Sequence, residues 1–182
     1  MAVRRKATFC GLFAASLLVS TLAIASPHSS AQASDIVRDG LIIAALGAPA
    51  VQGDWDGSGQ AALAIGGTFA VTEGLKRAFP EERPDHSNDK SFPSGHTSTS
   101  FAAAASLEKR YGWKAGLPAH AVALFVAVAR VEANKHFVHD VVVGAAIGEA
   151  AGWLITKRRD DRVQWLPWGD AHGGGATLSY RF

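Results

Sequence analysis

Three short strings carry groups suited to handling a phosphate: Lys76-x6-Arg83-Pro84, Pro93-Ser94-Gly95-His96 and Arg130-x5-His136-x3-Asp140. Together they bring three cations, two histidines and one carboxylate. A phosphoryl group in transfer carries charge on its equatorial oxygens, and cations and N–H donors stabilise it. Lys76, Arg83 and Arg130 supply the cations. An arginine fork binds two oxygens at once, whereas a lysine acts as a point charge. Pro93-Ser94-Gly95-His96 reads as a helix start, where free N–H groups and the helix dipole favour an anion. Ser94 reads there equally as a helix cap and as a phosphate donor, and Gly95 lets the backbone approach an oxygen closely. His96 suits the role of general acid for a leaving alkoxide.

His136 and Asp140 stand four apart, so a helical backbone puts them on one side. The carboxylate can then hold one imidazole nitrogen while the other attacks phosphorus. Arg130 and His136 stand six apart and fall on different faces of a continuous helix. The chain must therefore break across 132–135, with Asn134 as a suitable turn residue. Each string alone is weak, because a single Lys or Arg is by default a solvated surface cation. Their joint order and spacing carry the signal.

The triple pattern resembles that of the type 2 phosphatidate phosphatase superfamily, which also holds bacterial nonspecific acid phosphatases and vanadium haloperoxidases. The resemblance covers roughly residues 74–148. It implies an α-helical bundle and a phosphatase that needs no metal or other cofactor. It also implies His136 as nucleophile, Asp140 as its orienter and His96 as acid, with the phosphate held by Lys76, Arg83, Ser94, Gly95 and Arg130. Two departures stand out. The serine that precedes the arginine of the third motif is Ala129 here, which removes one hydroxyl. Residues 85–92 form a gap that is short for the family, so the loop over the site should be small.

Other chemistries are weaker. His139 must point away if His136 and Asp140 pair, and His120 in an apolar stretch reads as a satisfied core histidine. Cations beside the site argue against a bound metal, so no metal ligand is assigned. Asp54-x-Asp56-x-Ser58-Gly59 starts like a calcium loop, but its twelfth position is Ile65 where a glutamate should sit. A haloperoxidase reading meets the shortness of the chain. A non-catalytic lipid-phosphate module would be favoured had His96, His136 or Asp140 been replaced.

The 182 residues suit one domain with a sizeable core. Arg4, Arg5 and Lys6 precede an uncharged stretch over 7–25, and Ala31-Gln32-Ala33 offers a cleavage site. That is the layout of a signal peptide over 1–33, with an earlier cut after Ala25 or an uncleaved anchor as alternatives. Residues 34–182 then form a single phosphatase domain whose tail is 156–182, exported and periplasmic. Loss of those three cations from 18 leaves 15 against 16 acids, so the basic pI of about 8.9 belongs to the leader and implies no nucleic-acid partner. The single cysteine, Cys10, also lies in the leader, which leaves the mature chain without a disulfide.

Helices are expected over 36–51, 60–79, 96–111, 117–131 and 139–156, the fourth central because it is almost wholly apolar. The uncharged runs 57–72 and 115–129 fall short of the ~20 residues of a span, and mean hydropathy is only +0.08. They read as buried helices of a soluble or peripherally attached bundle. In the tail, 176–182 alternates like a strand and should pair with 163–166. The expectation is thus an all-α compact bundle of about five to six helices with a small C-terminal β hairpin. Its substrate is a membrane lipid phosphate or polyprenyl pyrophosphate, with nonspecific hydrolysis of soluble phosphomonoesters as the alternative. Peripheral membrane contact would run through Trp153, Trp165 and Trp168.

Overall fold

The structure is a computed structural model and describes residues 27–159, 163–170 and 173–180. Five helices follow one another: α1 (Pro27–Val51), α2 (Trp55–Ala78), α3 (Gly95–Tyr111), α4 (Trp113–Glu132) and α5 (Val138–Ile155). A two-stranded antiparallel hairpin, β1 (Val163–Asp170) and β2 (Gly173–Tyr180), closes the chain. The all-α bundle with a small β tail is what the sequence leads one to expect, and Val163 pairs with Tyr180 as the strand pattern suggests. The leader over 1–26 lies outside the described residues. Ala33 falls inside α1, next to buried Ser34, whereas the alternative cut after Ala25 precedes that helix.

All five helices begin earlier than expected, α3 and α5 by one residue, α4 by four, and α1 and α2 by more. α1 opens at Pro27, whose fixed φ suits a first turn. α2 opens at Trp55 inside the glycine-rich segment, because Asp54 caps it by accepting from the Gly57 N–H at 3.1 Å. Arg110 Nε donates to the same carboxylate at 2.7 Å, and both side chains are buried. The calcium-like start is thus an ion-paired helix cap.

The centre of the bundle is α3, which packs against each of the other four helices. Its buried face is Thr97, Ser98, Thr99, Ser100, Ala102, Ala103, Ala104, Ala105 and Ser106. The expectation that the apolar 117–131 helix would be central is therefore corrected. Small side chains let helices approach, so the alanine- and serine-rich helix takes the middle and the bulky apolar residues turn outward. Ile43, Leu63, Phe69, Leu117, Leu124, Val142 and Leu154 are all exposed, Leu154 at 84%. Only 39% of the apolar window of α4 is buried, which also overturns the reading of 115–129 as a buried helix, and only 28% of that of α5 is buried. Both are long and apolar enough to cross a membrane.

Contact between α3 and α5 runs along glycines four apart. A Cβ on Gly144 would lie 2.7 Å from the Ser94 carbonyl oxygen, and one on Gly148 would lie 2.2 Å from that of Ser98. One on Gly152 would lie 2.4 Å from Ala105 Cβ. This seam sets the distance between the helix carrying Asp140 and the helix start carrying Ser94. Gly148→Ala forces a methyl group into backbone and is expected to cost about 3 kcal/mol. Chemical denaturation checks this, and an unchanged midpoint contradicts it.

Candidate active site

The three strings meet at one end of the bundle. Lys76 is in the last turn of α2, His96 in the first of α3, Arg130 in the last of α4 and Asp140 in the first of α5. The required break is present: α4 stops at Glu132, Asn134 adopts a φ of 54°, and the Lys135 N–H returns to the Arg130 carbonyl. That turn brings His136 round to Asp140, with Nδ1 3.5 Å from Oδ2. The distance is roughly 0.5 Å beyond a normal N–H···O bond, and Nδ1 has no hydrogen-bond partner among the described residues.

Asp140 is fully buried and anchored. Its Oδ2 accepts from the Ser91 hydroxyl at 2.5 Å and from the Phe137 N–H at 2.9 Å. Its backbone carbonyl accepts from the Ser94 N–H, which ties the starts of α3 and α5 together. Ser94 itself is buried and caps α3 through the Thr97 N–H, so the capping role is the one its contacts display. Protein packing does not demand a glycine at 95, because a Cβ there would make ordinary contacts with Thr72 and Lys76.

The cations differ in their engagements. Lys76 Nζ donates to the carbonyls of Pro93 at 2.6 Å and Lys90 at 2.9 Å, so it clamps the loop before α3. Burial, then the charge of Arg83, lowers its pKa to about 8. Arg83 Nε and Arg130 Nε are buried donors without a partner among the described residues. Such donors are costly to leave unmet, and an anion would satisfy both.

Helix α1 adds side chains that the sequence reasoning missed. Arg130 Nη1 lies 3.3 Å from Ser34 Oγ and 3.2 Å from Asp35 Oδ1. Asp35 Oδ1 is also 2.7 Å from His96 Nε2, and Arg38 Nη1 is 2.6 Å from that same nitrogen. One nitrogen cannot accept from Arg38 and donate to Asp35 together. Burial, then Arg130, Arg38 and Arg83, lowers the His96 pKa to about 3, so the resting ring is neutral and accepts from Arg38. An arriving phosphate offsets those cations and favours uptake of the proton that a general acid needs.

His136 is also neutral at rest. Burial, then Arg83, Lys76 and Arg130, lowers its pKa to about 3 against the raising effect of Asp140. In the unfolded chain both rings ionise near ~6.5. Between those values the unfolded state binds more protons, so stability is complete above about pH 6.5 and falls toward pH 3. Each ring contributes a loss of up to about 1.4 kcal/mol per pH unit. The melting temperature is therefore expected to drop between about pH 7 and about pH 5. Equal melting temperatures contradict the neutral pair.

The two other histidines differ from each other. His120 is satisfied, held by the Gly116 carbonyl at 2.9 Å and by Glu149 at 2.5 Å, ten residues from Arg130 along α4. His139 does not point away as the sequence implied. Its Nε2 lies 2.9 Å from Glu81 and 3.1 Å from Asp140 Oδ1, because the two carboxylate oxygens of Asp140 serve different neighbours.

Residues 58–164 match the family model of the PAP2 superfamily. The chain belongs to the PAP2 superfamily. The lipid A 4'-phosphatase of Helicobacter pylori strain J99 is 34% identical over 124 residues, 62% of this chain and 62% of that protein. The decaprenylphosphoryl-5-phosphoribose phosphatase of Mycobacterium tuberculosis is 31% identical over 128 residues, 63% of this chain and 68% of that one. Of the crystal structures, the transmembrane PAP2-type phosphatidylglycerolphosphate phosphatase of Bacillus subtilis superposes with a TM-score of 0.56 at 23% identity. The match covers 78% of this chain and 81% of that one, and it speaks for the fold. Ser34, Asp35 and Arg38 lie upstream of the PAP2 match, so no family motif points to them. The charges of Asp35, Arg38 and Asp39, in a helix with no other Asp, Glu, Lys or Arg, were the available signal.

Proposed function

We propose that this PAP2 protein is a metal-independent phosphohydrolase that removes phosphate from a membrane lipid phosphate or polyprenyl pyrophosphate. The observation that carries the reading is the pair of buried donors Arg83 Nε and Arg130 Nε, without partners among the described residues, in a site that also holds the buried His136–Asp140 pair. Arg83 and Arg130 receive the phosphoryl oxygens, and Lys76 holds the loop that carries Pro93. His136 attacks phosphorus and becomes phosphorylated, while Asp140 takes the hydrogen-bond load of its other nitrogen. His96 delivers a proton to the departing oxygen and, once neutral again, draws one from the water that frees His136. Arg38 positions the neutral His96, and Asp35 stands where the protonated ring can donate to it. Ser34 offers a hydroxyl at Arg130 where Ala129 has none.

The lipid assignment is supported by the outward apolar surface of α4 and α5, which reads as membrane association, and by relatives named for lipid A and decaprenyl substrates. Trp153 stays half-exposed with Lys109 Nζ 4.6 Å from its ring, an arrangement at home at a membrane interface. The side chains of Trp165 and Trp168 lie outside the described residues. Export to the periplasm belongs to the same proposal.

Turnover of a detergent-dispersed lipid phosphate and of a soluble sugar phosphate, each with and without a chelator, tests this. The lipid is expected to win in kcat/KM by about tenfold or more. Chelation is expected to leave the rate unchanged, and vanadate to inhibit by imitating five-coordinate phosphorus. A preference for the sugar phosphate rejects the lipid substrate. Activity lost to the chelator and restored by zinc or magnesium rejects the metal-independent mechanism.

A further inference from the structure

We propose that Glu81, His139 and Asp140 form a binding site for a divalent transition-metal ion of the zinc type, and that the bound ion turns the enzyme off by claiming Asp140 from His136. The inhibitory consequence rests on the phosphatase reading above; the binding itself does not.

The three residues each offer one donor atom, all within 4.8 Å of one another. Glu81 comes from the loop after α2, His139 and Asp140 from the start of α5. One imidazole nitrogen with two carboxylate oxygens is a donor set that zinc accepts, leaving its fourth position for water. Two further observations make this more than an acidic cluster. Asp140 Oδ1 is buried and accepts no hydrogen bond among the described residues, although His139 Nε2 is only 3.1 Å away. A carboxylate oxygen removed from water and given no donor is costly, and a cation resolves that cost.

The second observation is that the donors are already oriented. The His139 ring stacks on Phe137, with centroids 5.4 Å apart and planes 8° apart, and has Phe92 at 6.1 Å. Asp140 is fixed from behind by Ser91 and the Phe137 N–H, both on Oδ2, which leaves Oδ1 for a ligand. Outer contacts of this kind set ligand direction in metal sites. Glu81 lines an open depression of about 500 Å³ with Glu82, Arg83, Pro84, His86 and Phe137.

Binding would couple to catalysis through one carboxylate. A metal on Oδ1 draws charge from Oδ2, the oxygen facing His136 Nδ1, and adds two positive charges beside an imidazole already surrounded by Lys76, Arg83 and Arg130. The ring then loses the partner that supports its attack on phosphorus.

The test uses metal-stripped full chain in detergent and zinc chloride as the probe. Calorimetric titration is expected to show one zinc ion per wild-type chain, and His139→Ala is expected to lose it. Zinc is expected to inhibit wild-type turnover reversibly, with recovery on chelation. His139→Ala, whose side chain takes no part in the reaction, is expected to keep most of its activity and to ignore zinc. No binding to the wild type, or equal binding to His139→Ala, overturns the site. Binding at His139 that leaves turnover untouched overturns the switch. A chain that binds zinc through His139 but hydrolyses no phosphate ester keeps the site and removes the phosphatase reading instead.

Discussion

His136→Ala is expected to lower turnover by roughly 10⁴-fold or more while leaving the chain folded. The size follows from the role: an alanine has no lone pair to offer phosphorus, and no second histidine can replace it. His96 is held by Arg38, and His139 is held by Glu81. The fold should survive because His136 Nδ1 makes no hydrogen bond among the described residues that the substitution would break. The neutral ring also sits beside three cations that oppose its charging. Turnover and a thermal melt on the same preparation check the two halves together. A folded His136→Ala protein with wild-type activity contradicts the assignment.

Asp140→Asn is expected to lower turnover by about 10³–10⁴-fold with a smaller effect on stability, by the logic of the orienting carboxylate in a catalytic triad. An asparagine keeps the shape and one oxygen, which can still accept from the Phe137 N–H and the Ser91 hydroxyl. It loses the charge that stabilises a His136 bearing positive charge during attack. Asp140→Ala loses the capping oxygen as well, and is expected to cost a further 1–3 kcal/mol or so through the buried donors left unmet. If Asp140 is only a helix cap, Asp140→Asn retains turnover, and the difference between the two variants separates catalysis from folding. Ser91→Ala should resemble a mild form of Asp140→Asn, because it frees Asp140 without removing its charge.

What could be read from the sequence was what local spacing encodes. The four-residue step from His136 to Asp140 and the six-residue step from Arg130 to His136 together require a turn, and Asn134 makes it. The five helices and the tail pairing came from capping residues, glycine stops and strand alternation. What could not be read was set by distant packing. Ser34, Asp35 and Arg38 reach His96 and Arg130 across 58 to 96 residues, with no periodic signature. Ser91 lies in a loop where a serine has no distinguishing pattern.

The core departs from the expected one for a physical reason: an apolar composition predicts burial, whereas small side chains let helices approach closely. Here alanines, serines and threonines of α3 fill the interior and leucines and phenylalanines turn outward. The glycines at 144, 148 and 152 were legible as a close-contact stripe, and they meet α3. The sequence pairs Asp140 with His136 alone and turns His139 away from it. The two oxygens of Asp140 face His136 and His139 separately.

Turnover through His136 requires a phosphoryl group to rest on that ring, and quenching the His96→Ala protein during turnover of labelled aryl phosphate detects it. The good leaving group lets His136 attack without help from an acid, while release by water is slowed because the base is gone. Stoichiometric, acid-labile phosphate is expected on the His96→Ala chain, mapped to the peptide holding His136, and none when His136→Ala is added. Steady turnover by His96→Ala with no label on the chain, or label that persists in the double variant, contradicts it.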